Sequence, residues 1–211
     1  MLDTFYRIEL YKKLNPNELT EEQFLKLLKE IKEPKSNTIS DEYFDFMLWC
    51  KGYPSRQQSF ANFIANKLST RQGSKILEVG GGRTAKLSRI LSEKGFEMTC
   101  IDPKLEITNS NIGIIKEKFD YQKCDLSKYD YVIAQEPCDA TEHVVRACVA
   151  QHIPFLMTLC GVPHKLLSGK EPKDVHEWYN YLLNIATEEI KLRYVNLDPI
   201  LKTPMLRSNK F

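Results

Sequence analysis

The sequence predicts an α/β protein with a mostly parallel sheet, an antiparallel hairpin at its C-terminal end and a helical extension at its N-terminal end. Three observations predict this fold class. Short apolar runs alternate with amphipathic stretches from about residue 75 onward, as they do where crossover helices join parallel strands. A glycine turn at residues 80–82 follows the first apolar run. The length of 211 residues suits one core domain with a small addition.

The N-terminal segment, residues 1–70, reads as helices and is expected to form a cap. Thr20 and Gln23 match the pattern in which two side chains at a helix start bond reciprocally to the backbone. Ser40 and Ser55 are suitable N-caps for two further helices. Apolar side chains recur at helical spacing in the first and third of these segments, at Phe24, Leu27, Leu28 and Ile31, and at Phe60, Phe63, Ile64 and Leu68.

In residues 71–211 strands and helices alternate within one predicted domain. Strands are predicted near 75–79, 97–102, 112–116, 130–134, 154–160 and 190–196, and helices near 84–93, 140–150 and 172–188. The stretch from about 103 to 111 is too short for a crossover helix. An Asp-Pro turn after residue 196 leads into segment 201–211, which predicts a final hairpin whose last strand is antiparallel to its neighbours.

The glycine turn and two nearby carboxylates predict a nucleoside-cofactor pocket. Glycines let the backbone pass close to a ligand, and Asp102, twenty residues after Gly82, ends the next apolar run, where a carboxylate can bind a ribose. Glu78 stands two residues before the first glycine and would repel the pyrophosphate of a dinucleotide. S-adenosylmethionine has no phosphate and carries an ammonium and a sulfonium, so an acidic residue favours it. Methyl transfer is therefore the first hypothesis.

On these residues the chain resembles the class I S-adenosylmethionine-dependent methyltransferases. The likeness spans roughly residues 55–196 and rests on the motif from Glu78 to Gly82, on Asp102, on Lys118-Phe119-Asp120 and on the apolar run 130–134. The resemblance implies a Rossmann-like, seven-stranded sheet with one antiparallel strand, and S-adenosylmethionine as the cofactor. It also implies that Asp102 binds both ribose hydroxyls, that Phe119 stacks on the adenine and that Asp120 accepts a hydrogen bond from its amine.

Two further residues are assigned to the cofactor. Arg56, just before the third helix, can pair with the carboxylate of the cofactor in a bidentate manner. Gln135 directly follows the fourth predicted strand, beside the expected pocket. The predicted cofactor-binding residues are thus Glu78, Gly80, Gly81, Gly82, Asp102, Phe119, Asp120, Gln135 and Arg56.

The methyl acceptor is expected at the carboxyl ends of the strands, where ligands gather in open α/β sheets. Members of the resembled family that methylate exocyclic amines carry an Asn/Asp-Pro-Pro-aromatic motif after the fourth strand. This chain keeps Pro137 but has Glu136 before it and Cys138 in place of the aromatic residue. Methylation of a base amine is therefore disfavoured. Glu136 is predicted instead to accept a proton from the attacking group, or to orient that group.

Asp139 and His164 complete the predicted catalytic set with Glu136. Asp139 has two possible roles: it contacts the acceptor, or it only caps the following helix, a role that Thr141 can also fill, with Glu142 in the first turn. His164 lies in the loop after the fifth strand, and its imidazole titrates near neutrality. The stretches Cys-Asp-Ala-Thr and Cys-Gly-Val-Pro-His in these two loops loosely resemble those that flank the acceptor in a subset of RNA methyltransferases.

The acceptor stays open between an RNA nucleotide, slightly preferred, and a small metabolite. RNA is favoured by the loop resemblance. A metabolite is favoured by the net charge of only +2, by the lack of a run of Lys and Arg, and by the helices expected to cover the pocket. A third hypothesis is a non-catalytic cofactor-binding or scaffold domain.

The composition also predicts the cell compartment of the protein and whether it binds a metal. No apolar run is long enough for a membrane span, and the first residues lack the order of a signal peptide. The six cysteines contain no CxxC pair, which is typical of reduced thiols in a cytoplasmic protein. The spacing of Cys138, Cys160 and His164 matches no ordinary zinc site, so no metal is predicted. His143, within a helix, is expected to be a packing or surface residue.

Overall fold

The computed structural model describes residues 15–32, 41–108, 111–186, 188–197, 199 and 202–211; the side chains of 30–32 and 41–45 are not described. The predicted cap Ser40 and the side chain of Ile31 lie outside these residues. The chain divides into two compact units. The first is Met1–Ser59 with Asn196–Lys202, and the second is Phe60–Val195 with Thr203–Phe211. The predicted division after residue 70 stays a prediction.

The first unit contains helices α1 (Glu21–Lys32) and α2 (Asp41–Cys50) and the start of α3 (Arg56–Lys67). The predicted reciprocal cap of α1 is confirmed: Gln23 N donates to Thr20 Oγ1 at 3.3 Å, and Thr20 N donates to Gln23 Oε1 at 2.9 Å. The Ser55 cap of α3 is also confirmed by a 3.2 Å bond from Gln58 N. A small apolar core joins the helices and consists of Phe24, Leu27, Leu28, Met47 and Leu48.

The second unit is built on a seven-stranded sheet in the order β3-β2-β1-β4-β5-β7-β6. Its strands are β1 (Lys75–Val79), β2 (Glu97–Ile101), β3 (Gly113–Ile115), β4 (Tyr131–Gln135), β5 (Phe155–Thr158), β6 (Ile190–Asn196) and β7 (Lys202–Ser208). Strands β1 to β5 pair in parallel, and β7 is antiparallel to β5. The predicted mostly parallel sheet with an antiparallel C-terminal hairpin is therefore confirmed.

The central strands are nearly continuous apolar runs because helices cover both faces of a parallel sheet. All of β5 is buried, and β1 is buried from its second residue onward. Three helices connect the strands: α4 (Lys86–Glu93), α5 (Thr141–Ala150) and α6 (Val175–Asn184). Helix α6 starts three residues later than predicted, because the Asp174 carboxylate caps it by accepting from Glu177 N at 2.8 Å. None of the described helices has the length and apolar character that crossing a membrane requires.

The loops at the carboxyl edge of the sheet extend the strand pairing beyond the strands themselves. Gly80 N donates to Ile101 O at 2.9 Å, and Asp102 N donates to Ile115 O at 3.1 Å. On the other side of β1, Glu136 N donates to Thr158 O at 3.1 Å. The residues that follow β1, β2, β4 and β5 are therefore fixed next to one another at one edge.

Candidate cofactor and acceptor site

The glycine turn admits no side chain at its centre. Gly80 and Gly82 have φ angles of 81° and 65°, in the left-handed region that favours glycine. A Cβ atom on Gly81 would overlap Cys100 Sγ and would lie 3.0 Å from Glu78 Cδ. A Cβ on Gly80 would lie 3.3 Å from Pro137 Cα, so the loop after β4 packs directly against the turn. The turn is therefore a stretch of backbone without side chains that lies against the loop after β4.

Asp102 directly follows β2, and each of its two carboxylate oxygens accepts a hydrogen bond from a backbone amide. Its Oδ2 accepts from Gly82 N at 2.9 Å, which joins the acid to the glycine turn, and its Oδ1 accepts from Lys104 N at 2.7 Å. Each oxygen of an ionised carboxylate can accept a second hydrogen bond. The half-buried carboxylate is thus suited to a vicinal diol such as that of a ribose.

Glu78 lies beneath the turn, and its contact with a cofactor stays a prediction. Only 2% of its surface is exposed. Its Oε2 accepts from Ser88 N at 2.9 Å and also from Ser88 Oγ, so a side chain of β1 caps the first turn of α4. Burial raises the pKa of Glu78, and the bonds from Ser88 only partly oppose that rise. The sequence does not show this burial, because an acid before a glycine turn is compatible with a side chain that faces a ligand and with one that packs beneath the turn.

In the segment after β3, Asp120 is half-buried and its neighbour is buried. The contact of Asp120 with an adenine stays a prediction. Phe119 is only 7% exposed and packs in the main core, so it presents no free ring face to an adenine. Asp120 Oδ1 accepts from Gln122 N at 3.1 Å, and that bond contributes most to lowering the pKa of Asp120. The half-buried ring of Tyr121 lies beside it, 5.6 Å from the His143 ring. Neither Tyr121 nor His143 was predicted from the sequence to lie at the site.

The two other predicted cofactor residues lie in different units of the chain. Gln135 is the half-buried last residue of β4, in register with Thr158 of β5, and therefore lies at the expected edge. Arg56 is the first residue of α3 and belongs to the first unit. Its contact with a cofactor stays a prediction.

The loop after β4 has an unusual backbone. Glu136 and Cys138 both have φ near 50°, a region that non-glycine residues adopt only where the surrounding structure holds them. A single 3-10 turn, Cys138–Ala140, leads directly into α5. The predicted caps of α5 are wrong: the N-cap is Ala140, no side chain caps the helix, and the Asp139 side chain is fully exposed.

Glu142 has a larger structural role than a first-turn acid. Its side chain is 3% exposed and links three elements. Oε1 accepts from Arg146 Nε at 2.7 Å and from the Tyr181 hydroxyl at 2.6 Å, while Oε2 accepts from Leu167 N at 2.8 Å. Burial alone would raise the pKa of Glu142, but these hydrogen bonds together lower it. The loop after β5 is thereby fastened to α5 and α6.

Four chemically reactive side chains meet where this loop faces the loop after β4. Cys138 Sγ, Cys160 Sγ and His164 Nε2 all lie within 4.8 Å of one another. Cys160 Sγ is 2.8 Å from His164 Nε2, and Asp139 Oδ1 is 3.6 Å from His164 Nδ1. A hydrogen bond from the Cys138 thiol, with help from the Val162 backbone and His164, lowers the pKa of Cys160 to about 5. The structure thus brings Asp139 and His164 together, with two cysteines that the sequence analysis set aside.

No protein-family model and no curated protein sequence matches the chain, but solved structures match its fold. Magnesium protoporphyrin IX methyltransferase (ChlM) from Synechocystis PCC 6803, with S-adenosylmethionine bound, is 11% identical at a TM-score of 0.50, over 99% of this chain and 97% of that one. The plantazolicin methyltransferase BpumL, with S-adenosylhomocysteine bound, is 13% identical at a TM-score of 0.50, over 88% and 99%.

The chain has the class I methyltransferase fold. A methyltransferase from an antibiotic biosynthesis pathway of Anabaena variabilis is 15% identical at a TM-score of 0.46. That alignment covers 64% of this chain and 63% of the other, so it spans less than two thirds of the relative.

Two clefts in the methyltransferase fold lie away from the candidate site, at the amino ends of the strands. One, of about 380 Å³, is lined by residues that include His152, Phe155 and Asn209. The other, of about 430 Å³, borders the starts of β1, β2 and β3. We assign the ligand to the opposite edge, because open α/β sheets bind ligands at the carboxyl ends of their strands and the polar groups described above converge there.

Proposed function

We propose that the protein is a methyltransferase that uses S-adenosylmethionine. The observation that carries the proposal is the link between Asp102 and Gly82, which joins the acid at the end of β2 to a glycine turn of bare backbone. The fold supports it, since it is similar to the fold of the two methyltransferase structures with TM-scores of 0.50. Those two proteins were crystallised with S-adenosylmethionine or its demethylated product.

The cofactor would lie across the carboxyl ends of β1, β2 and β3. The backbone of Gly80 and Gly82 allows the close approach, Asp102 accepts from the ribose hydroxyls, and Asp120 accepts from the adenine amine. Because Phe119 is buried, we assign the ring contact with the adenine to Tyr121. Glu78 supports this arrangement from below through Ser88, without touching the cofactor.

Methyl transfer is an in-line displacement at the sulfonium carbon. Asp102, Asp120 and the backbone of Gly80 and Gly82 would hold S-adenosylmethionine, which would supply the methyl group. The acceptor atom would bond to the methyl carbon as the carbon–sulfur bond breaks, with S-adenosylhomocysteine as the leaving group. Alignment of the two reactants supplies most of the rate. The acceptor proton passes to a base, and we propose the Glu136 carboxylate in this role, with Asp139 and His164 contacting the acceptor.

The comparisons do not support the RNA acceptor that the sequence slightly favoured. The two methyltransferases with TM-scores of 0.50 are named for a magnesium porphyrin and for plantazolicin. We therefore propose a small-molecule acceptor. RNA is the comparison substrate: with labelled cofactor, transfer of the methyl group to an RNA fraction and not to a metabolite fraction would reverse this choice.

Calorimetric titration with S-adenosylmethionine tests the proposal. We expect one binding site, and we expect Asp102→Ala to weaken binding about 10- to 100-fold, because a hydrogen bond to a charged group contributes about 1.5–3 kcal/mol. The matched control is Asp125→Ala, which removes a carboxylate that also accepts a backbone N–H two residues on, from Ser127 at 2.9 Å. Absence of binding by the intact protein, or equal weakening by both variants, would contradict the proposal.

A further inference from the structure

The side chains of Cys138, Cys160 and His164 form a compact set of metal-ligand atoms. They come from two loops, those after β4 and β5, and their three ligand atoms all lie within 4.8 Å of one another. Cys160 and His164 are half-buried, whereas Cys138 is exposed. The cluster therefore has a closed side toward the protein and an open side toward solvent.

The donor atoms determine which ion fits. Thiolates are soft ligands and, together with imidazole, favour Zn²⁺ over Mg²⁺ or Ca²⁺, which prefer oxygen. Structural zinc sites have four protein ligands, whereas a site with three protein ligands leaves a position for water or a substrate atom. Two sulfurs and one nitrogen with an open side correspond to the three-ligand type.

The residues around His164 and Cys160 are of the kinds that usually orient or support metal ligands. Asp139 Oδ1 lies 3.6 Å from His164 Nδ1, beyond hydrogen-bond distance, so the exposed carboxylate would have to move slightly closer to orient the ring with Nε2 toward the sulfurs. The His164 ring also meets the edge of the buried Trp178 ring, with centroids 6.1 Å apart. Cys160 is fixed through its backbone, because its carbonyl accepts from the Tyr179 hydroxyl at 2.9 Å.

We propose that Cys138, Cys160 and His164 bind one Zn²⁺ ion, with a fourth coordination position open to water or to a substrate atom. The loop that carries Cys138 is the loop whose Pro137 packs against Gly80, so the ion lies next to the glycine turn. The inference does not depend on the proposed methyl transfer. It differs from the sequence-based expectation of no metal site.

Zinc binding changes the geometry of the cluster in a defined way. A tetrahedral ion with ordinary zinc–sulfur and zinc–nitrogen bonds holds the two donor atoms about 3.5 Å apart. In the structure Cys160 Sγ and His164 Nε2 are 2.8 Å apart, as a hydrogen-bonded pair. The ion therefore replaces this hydrogen bond.

The test uses the full chain without an affinity tag, purified with reductant so that every thiol is free. We expect about one zinc per chain by mass spectrometry of the metal. After removal of the zinc, titration with Co²⁺ should give the near-ultraviolet thiolate-to-cobalt absorption and the intense visible bands of a tetrahedral site. Cys160→Ser and His164→Asn should weaken metal binding more than 100-fold, and Asp139→Asn about 10-fold, as expected for a residue that only orients a ligand.

Matched controls separate this site from nonspecific binding. Cys50→Ser removes a half-buried cysteine outside the cluster, and His152→Asn removes a histidine whose φ of 56° asparagine also tolerates. Both should keep full zinc content. The proposal is overturned if the folded, reduced protein gives no thiolate-to-cobalt absorption, or if the controls lose as much metal as the ligand variants. Calorimetry with S-adenosylmethionine on the same preparation reports the cofactor site separately, so one proposal can fail while the other stands.

Discussion

At the scale of single residues, the glycine turn depends on what lies under it. Gly81 has no room for a methyl group, because the Cys100 thiol and the Glu78 carboxylate occupy the space where its Cβ would stand. Gly82 differs: its φ of 65° requires glycine-like freedom, but no atom lies within 4 Å of the position of its Cβ. Adjacent glycines in one motif are thus needed for different physical reasons.

These two reasons predict different responses to substitution by alanine. Gly81→Ala should lower the free energy of unfolding by about 1–3 kcal/mol through overpacking, and Cys100→Ala in the same chain should recover much of that loss. Gly82→Ala should cost about 1–2 kcal/mol through its left-handed backbone, with no recovery from Cys100→Ala. Urea unfolding of the single and double variants measures both effects. Equal recovery in the two backgrounds would contradict the packing argument.

The burial of Glu78 predicts how stability depends on pH. Its pKa is raised in the folded state, so the folded protein binds a proton there that the unfolded chain releases. This group therefore lowers the free energy of unfolding as pH rises from about 4.5 through the folded pKa. Glu78→Gln, which keeps an acceptor for Ser88, should flatten that decline and should retain affinity for S-adenosylmethionine.

Unfolding by urea at a series of pH values compares the wild-type protein with this variant, and calorimetry supplies the affinity. Parallel stability curves for the wild-type and Glu78→Gln chains would show that the carboxyl group ionises equally in the folded and unfolded states. A large loss of cofactor affinity in Glu78→Gln would instead favour the direct role that the sequence suggested.

At the scale of the elements, the sequence predicts the strands well because each is a short apolar run bounded by turn residues. The limits of β1 and β6 agree with the prediction, those of β2 to β5 differ by one or two residues, and β7 ends three residues before the predicted segment 201–211. The errors occur at helix starts, where contacts of individual side chains determine the boundary. Asp174 sets the start of α6, and a 3-10 turn at Cys138–Ala140 replaces the expected cap of α5.

The candidate site was only partly predictable for a similar reason. Glycine spacing and Asp102 are local signals, and they lead directly to the turn and its acid. The cysteine–histidine cluster joins residues twenty-two positions apart, and they meet only because β4 and β5 are adjacent in the sheet. Spacing along the chain carries no record of that adjacency, and the side on which Glu78 is packed is likewise a result of tertiary structure.

Helix α5 predicts a second pH effect, of opposite sign to that of Glu78. The pKa of Glu142 is lowered on folding, so its stabilisation is present above about pH 4.5 and is lost as pH falls through the folded pKa. Glu142→Gln should lower the free energy of unfolding by about 1–3 kcal/mol at pH 7, since it weakens bonds that hold Arg146, Tyr181 and the loop after β5.

The deficit of the Glu142→Gln variant should shrink as pH falls below 4.5, because the unfolded wild-type chain then takes up a proton that the folded chain does not hold until its lower pKa is reached. Denaturant unfolding at pH 7 and pH 4 measures both values. Glu93→Gln, on the exposed surface of α4, is the matched control and should change stability by less than about 0.5 kcal/mol. A deficit that is the same at both pH values would mean that the charge of Glu142 does not contribute.

At the scale of the whole molecule, the carboxyl edge of the sheet acts as one connected surface. The turn after β1 bonds to β2, the loop after β2 returns to it through Glu106 N and Arg83 O at 3.0 Å, and the loop after β4 packs on Gly80. The proposed cofactor residues and the proposed zinc ligands therefore lie on adjoining loops. A ligand at this edge contacts segments that are far apart in sequence, so its binding stabilises the folded chain as a unit.

Thermal unfolding in the presence of S-adenosylmethionine tests that linkage. A ligand at 100 times its dissociation constant adds about 2.7 kcal/mol to the free energy of unfolding. For a chain of this size each kcal/mol raises Tm by about 2–4 °C, so a rise of about 5–11 °C is expected. Asp102→Ala, with its 10- to 100-fold weaker binding, should keep at most about half of this rise at the same cofactor concentration. A rise in Tm without formation of S-adenosylhomocysteine from any acceptor fraction would favour a cofactor-binding scaffold, whereas no rise at saturating cofactor would contradict binding at this edge altogether.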